Sequence, residues 1–141
     1  MHQELLTTIR SARPSLPLFA RAVMEAVLLV EGPIGSADAV AKHLGLRNRF
    51  TLARLLQHQG LPPLHRLAEW ASVLSWVKST ERKGVSLCWL AHRSRRHPSA
   101  CYRLVKDVTG LTWSAVRARG SAWVEARFVK TLYGTRPTST R

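Results

Sequence analysis

Apolar residues along this chain recur at three- and four-residue intervals, the signature of one buried helical face, and Gly and Pro interrupt the runs often. Residues 1–16 carry only a weak helical pattern. A first firm helix is predicted from Pro17 to Val30, with Phe19, Val23, Ala26 and Val30 on one face and EGPIG (31–35) ending it. Ser36 is placed to cap a short helix bearing Ala37, Val40, Ala41 and Leu44, and Gly45 closes it. Asn48 is the predicted cap of the next helix, whose stripe is Leu52, Leu55 and Leu56 and whose stop is Gly60.

A longer helix is predicted from Leu64 to Thr80, apolar on most faces and so packed on more than one side. ERKG (81–84) reads as a linker. A short helix over 85–93 then leads through the basic turn RSRRH to a helix beginning at Pro98, with Cys101, Leu104, Val105 and Val108 inward and Gly110 as its stop. Residues 112–133 read as a final helix with a weak point at Gly120, and the tail from 134 as disordered. Period-two alternation and hairpin turns are absent, so the expected fold is all-α, about seven helices. One unit occurs twice: short helix, tight turn, second helix, glycine, with Gly60 and Gly110 fifty positions apart. That is two helix-turn-helix subdomains joined by a long linker helix. The predicted layout is an N-terminal segment 1–33, a first module 34–62, the linker helix 63–82, a second module 84–117, a C-terminal helix 118–133 and the tail 134–141.

Charge adds a partner to this picture. The chain holds 22 Lys and Arg against 8 Asp and Glu, a formal net charge of +14. Residues 1–40 contribute three basic and four acidic groups, so residues 41–141 hold 19 basic against 4 acidic. The repeated modules are therefore where a polyanion binds, with nucleic acid the first expectation. Cys88 and Cys101 sit in apolar helical patterns without metal spacing and read as reduced core residues. The five tryptophans, at helical spacing beside Leu and Val, also read as core. No signal peptide or span of roughly 20 apolar residues is visible, which predicts a cytoplasmic protein, nucleoid-associated through its partner.

Two stretches, DAVAKHLGLRNRFTLARLLQHQG and SLCWLAHRSRRHPSACYRLVKDVTG, resemble the paired helix-turn-helix motifs of the AraC/XylS family of bacterial transcription regulators. VAKHLGL matches the opening helix of the first module, RLLQHQGLPP the end of its recognition helix, and YRLVKDVTGLTW the second module, with Arg103, Lys106 and Gly110 in register. The likeness covers about residues 34–117, plus a supporting helix before them. The chain departs from the family at Ser94–Arg96, where a Gly-Phe pair is usual and the turn is one residue short, and at Cys101, Val105 and Leu56, where Phe is usual. The resemblance implies two recognition helices and base reading at Phe50, Ala53 and Arg54. The short stretch preceding the first module implies a stand-alone DNA-binding member, or a module whose ligand response sits in a partner, with no small-molecule effector evident.

Helical geometry sorts the faces independently. With Leu52, Leu55 and Leu56 inward, Arg49, Phe50, Ala53, Arg54 and Gln57 face out. Arg54 suits a guanine O6/N7 edge and Phe50 a thymine methyl. In the second module Ser99, Ala100, Arg103 and Lys106 face out, and Arg103 is the expected base reader. Base-reading candidates are thus Arg49, Phe50, Ala53, Arg54, Ser99, Ala100 and Arg103. Phosphate candidates are Arg47, Asn48, Gln57, Arg93, Arg95, Arg96 and Lys106, helped by helix N-terminal amides. Carboxylates are few and scattered, no Gly-rich phosphate loop precedes a helix, and the six histidines lack ligand spacing, so neither catalysis nor a metal or other cofactor is expected. Sequence-specific binding of double-stranded DNA as a transcription regulator is the leading expectation. Non-specific or architectural nucleic-acid binding, and an adaptor docking RNA polymerase or another regulator subunit, are the alternatives.

Overall fold

The computed structural model of the chain describes Ala22 and residues 37–134. Among the described residues the regular structure is entirely α-helical: α1 (Ala37–His43), α2 (Arg49–His58), α3 (Leu64–Lys83), α4 (Leu87–Arg93), α5 (Pro98–Thr109), α6 (Trp113–Arg119) and α7 (Ser121–Gly134). The all-α expectation holds, with seven helices among the described residues against about seven expected for the chain. The helix expected over Pro17–Val30 (Ala22 apart), the Ser36 cap and the tail from 135 lie outside the described residues. By packing, the described residues divide into two compact units, one being Glu69–Phe128 and the other the described residues on either side of it.

In the first unit α1 and α2 pack on each other. Leu52 and Leu56 are almost wholly buried and Leu55 half-buried, so the predicted stripe is the inward face of α2. Asn48 caps α2 as expected, its side-chain oxygen accepting from the Thr51 N–H at 3.0 Å. In the second unit α4 packs on α5 and α5 on α6. Cys101, Val105, Val108 and Thr109 form the buried face of α5.

Two helix boundaries differ from the sequence reading. ERKG is not a linker, because α3 continues through Lys83 and stops only before Gly84, where φ is 68°. Residues 112–133 are not one helix with a weak point. Gly120, at φ 88° and ψ 171°, breaks the segment completely into α6 and α7. From across the unit, Glu81 accepts from the Ser121 backbone N–H at 2.9 Å and from Ser121 Oγ at 2.7 Å. Glycine is needed at position 120 for its φ; a Cβ there would stand 3.3 Å from that carboxylate, which would have to give by a few tenths of an ångström.

Glu81 thus places a negative charge at the first turn of α7, where exposed amides and the helix dipole favour it. Lys78 pairs with Glu125 at 2.7 Å, and the rings of Trp70 and Phe128 stack with centroids 6.0 Å apart and planes within 1°. These contacts seat α7 on α3, with Phe128 fully buried between them and its neighbours.

Four expected core residues are corrected. Cys88 is exposed and Trp89 is 44% exposed. In the short helix α4 the buried positions are Leu87 and Ala91, one turn apart, and residues 88 and 89 fall off that stripe. Trp123 is only half-buried, since it sits beside rather than on the Val124–Phe128 line of α7; Trp113 is half-buried as well. Trp70, Trp76 and Cys101 are core as predicted, and burial pushes the Cys101 thiol up.

Phe128→Ala is expected to cost about 3–5 kcal/mol in urea unfolding, as truncation of a fully packed aromatic does. A loss below about 1 kcal/mol would show that the stack on Trp70 adds little. The Ser121 hydrogen bonds, aided by nearby Arg117 and Lys78, hold the Glu81 carboxyl below its ordinary value despite some burial. A carboxylate with a lowered folded-state pKa stabilises above its unfolded pKa, and that stabilisation is lost as pH falls through the lowered one. Glu81→Gln, which keeps one acceptor oxygen and turns an NH2 toward the other donor, should therefore melt below wild type at neutral pH. The gap should close as the pH falls through the acid range; a gap unchanged at the acid end contradicts the assignment.

Candidate nucleic-acid interface

The chain reverses direction between the helices of each pair by the same backbone device. After α1, the Leu46 N–H donates to the Ala41 carbonyl at 2.8 Å and the Gly45 N–H to Lys42 at 3.0 Å, with Gly45 at φ 80°. After α4, the Arg96 N–H donates to the Ala91 carbonyl at 2.8 Å and the Arg95 N–H to His92 at 3.1 Å, with Arg95 at φ 59°. Both are left-handed helix stops with paired six-to-one and five-to-two bonds. The sequence shows the first through its glycine and hides the second behind an arginine, the one non-glycine residue with positive φ among the described residues.

From these stops the two turns diverge. Asn48 caps α2 three residues after Gly45, whereas His97 caps α5 two residues after Arg95, so the second turn is one residue shorter. His97 Nδ1 accepts from the Ser99 N–H at 3.3 Å and lies 2.7 Å from Ser99 Oγ. Past the caps the repeat offset is therefore 49, not the fifty that the glycines suggest. Arg54 stands six residues beyond Asn48, and Arg103 six beyond His97. These two, singled out from separate helical faces, occupy equivalent positions.

Opposite the buried stripes the predicted outward residues are exposed: Arg47, Arg49, Ala53, Arg54 and Gln57 in the first module, and Arg93, Arg95, Ser99, Ala100, Arg103 and Lys106 in the second. Phe50 is 64% exposed, and the Arg49 guanidinium lies over its ring, 4.9 Å from the centroid. Tyr102, at 42% exposure, sits on α5 beside Arg103 and Lys106 and was not among the predicted residues. Its position just off the Cys101–Val105 stripe was the available signal.

Three candidates are placed differently from a free phosphate grip. Asn48 is half-buried, and its oxygen serves the cap, also accepting from Thr51 Oγ1 at 3.2 Å. Arg96 is half-buried, its guanidinium over Trp76 at 5.6 Å. Its stem holds the place in this turn that Leu46 holds in the first. Arg93 lies over the exposed Trp89 ring at 5.2 Å. Backbone amides contribute less than expected. The Arg49 N–H donates to Asp38 Oδ1 at 2.9 Å, a partner eleven residues away that the sequence did not reveal. At α5, Pro98 has no N–H, the Ser99 N–H meets His97, and the Ala100 N–H bonds the His97 carbonyl at 3.0 Å. These amides are all taken by partners within the chain.

No family profile, curated protein or solved structure matches this chain. No helix among the described residues is long and apolar enough to cross a membrane.

Arg95 carries a left-handed backbone that costs an L-residue about 1–2 kcal/mol, against roughly 0.5–1 for the extra freedom of glycine in the unfolded chain. Arg95→Gly should therefore raise stability in urea unfolding by up to about 1 kcal/mol. Gly45→Ala at the equivalent stop should lower it by about 1 kcal/mol or more. A destabilised Arg95→Gly would mean that the arginine stem, not the backbone, holds this turn.

Proposed function

We propose that this chain is a sequence-specific double-stranded DNA-binding transcription regulator of the AraC/XylS type, with α2 and α5 as its recognition helices. The observation that carries the reading is the equivalence of Arg54 and Arg103. Each is exposed, six residues past its helix cap and opposite a buried stripe, in the second helix of a helix-turn-helix pair. A guanidinium so placed offers a rigid fork to guanine O6 and N7. Phe50 adds an apolar contact for a thymine methyl, and Arg47, Arg95 and Lys106 grip phosphates without reading sequence. In this reading the helices take successive major-groove segments, about 34 Å apart along one face of the duplex, and some bending of the DNA accompanies the grip. A cytoplasmic, nucleoid-associated place goes with it.

A second reading, non-specific or architectural binding, is favoured by the modest base chemistry of Ala53, Ser99 and Ala100, which are exposed beside the two arginines. Competition at fixed moderate salt separates the two. A regulator holds its selected site against scrambled duplex, whereas equal competition by scrambled duplex removes the regulator reading.

Arg54→Ala and Arg103→Ala should each relax sequence preference, at about 1–3 kcal/mol per lost base contact. Arg95→Ala should weaken all sequences alike and reduce the salt slope by about one. The reverse pattern, read from binding isotherms over a salt series, would show that readers and anchors are exchanged.

A further inference from the structure

A second basic surface lies on α6 and α7, apart from the recognition helices. The guanidinium carbons of Arg119 and Arg127 stand 5.2 and 5.4 Å from the ring centroid of the half-buried Trp123. An indole that holds guanidiniums against its faces orders them while leaving their N–H edges free for bidentate bonds. The carboxylate of the same helix does not offset them, because Glu125 is paired with Lys78 at 2.7 Å.

The direction of this surface follows from the contacts of α3. At roughly 100° per residue, Trp70, Lys78 and Glu81, which meet α7, cluster on one side of α3, and Trp76 lies about 150° around from them. Trp76 carries Arg96 of the turn before α5. On α7 the residues that meet α3 are Ser121, Glu125 and Phe128, and Trp123 and Arg127 lie about 150° around from those by the same count. The Trp123 surface thus points away from α3, on the side opposite the turn that leads into α5.

Its chemistry selects among polyanions. Beside the indole the ground is Ala122 and Ala126, both exposed. Alanine methyls give nothing to a phosphodiester backbone, and guanidiniums over the ring leave the indole edge rather than its faces for contact, which suits an aliphatic side chain better than a stacking base. An acidic segment with apolar side chains gains from both features, and Trp and Arg are the residues that dominate protein–protein contacts. We propose that this surface docks an acidic, amphipathic segment of a protein partner. Carboxylates bond Arg119 and Arg127, and an apolar side chain lies against Trp123 and the alanines.

The test uses the full chain and a fluorescein-labelled helical peptide of Glu and Leu, read by anisotropy. Wild type should bind it. Arg119→Ala/Arg127→Ala should weaken binding about tenfold or more, while Arg54→Ala/Arg103→Ala, which removes the same charge elsewhere, should change it less than about twofold. A peptide of Glu and Ser should bind about tenfold more weakly than the Glu and Leu peptide. Equal losses for the two double variants, or equal binding of the two peptides, would reduce the surface to general electrostatics and overturn the proposal. So would recruitment of a second labelled duplex to bead-bound duplex by wild type but not by Arg119→Ala/Arg127→Ala, which assigns the surface to nucleic acid.

Discussion

The left-handed stop that ends the first helix of each pair is the constraint on which both modules depend. It requires two carbonyls of the first helix to receive the amides of the turn, and it brings the chain back against Ala41 in one module and Ala91 in the other, both fully buried. A larger residue there would push the second helix away. The second helix can then present only one face inward: Leu52 and Leu56 in α2, and Cys101, Val105 and Val108 in α5. With the inward face fixed, Arg54 and Arg103 are fixed outward. The placement of charge follows from a backbone turn and a few buried aliphatic side chains.

Periodicity made most of this legible. The helices, their inward stripes, the Asn48 cap and the stops at Gly45, Gly60 and Gly110 could be read directly, because each is a local property of neighbouring residues. What escaped reading was non-local or disguised. The first amide of α7, after the break at Gly120, is taken by Glu81, forty residues away, and the first amide of α2 by Asp38. The stop at Arg95 could not be read because arginine does not advertise positive φ. The apolar residues of a seven-residue helix do not show which face it buries, so Cys88 and Trp89 read as core in the sequence and are exposed in the structure. The fifty-residue glycine spacing also concealed a compensation: the second turn loses a residue and α5, with 12 residues against 10 in α2, regains the register.

The basic surplus is arranged as well as large. Several guanidiniums lie against aromatic rings, Arg49 on Phe50, Arg93 on Trp89, Arg96 on Trp76, and Arg119 and Arg127 on Trp123. Such contacts offset part of the entropy of fixing a long side chain while leaving its donors available. They also divide the arginines by role. Arg96 serves packing beneath its turn, Arg54 and Arg103 stand exposed on the outward faces of α2 and α5, and Arg119 and Arg127 lie against Trp123 on the final helices.

The central claim is that the two equivalent helices read bases rather than merely grip phosphate. Selection from a random duplex library with the purified chain at moderate salt tests it most directly. The account predicts enrichment of a bipartite site, two short conserved elements separated by about one helical turn, each containing a guanine whose conservation is lost in the Arg54→Ala or the Arg103→Ala chain. Recovery of duplexes with no common element, bound as tightly as the starting library, would contradict it.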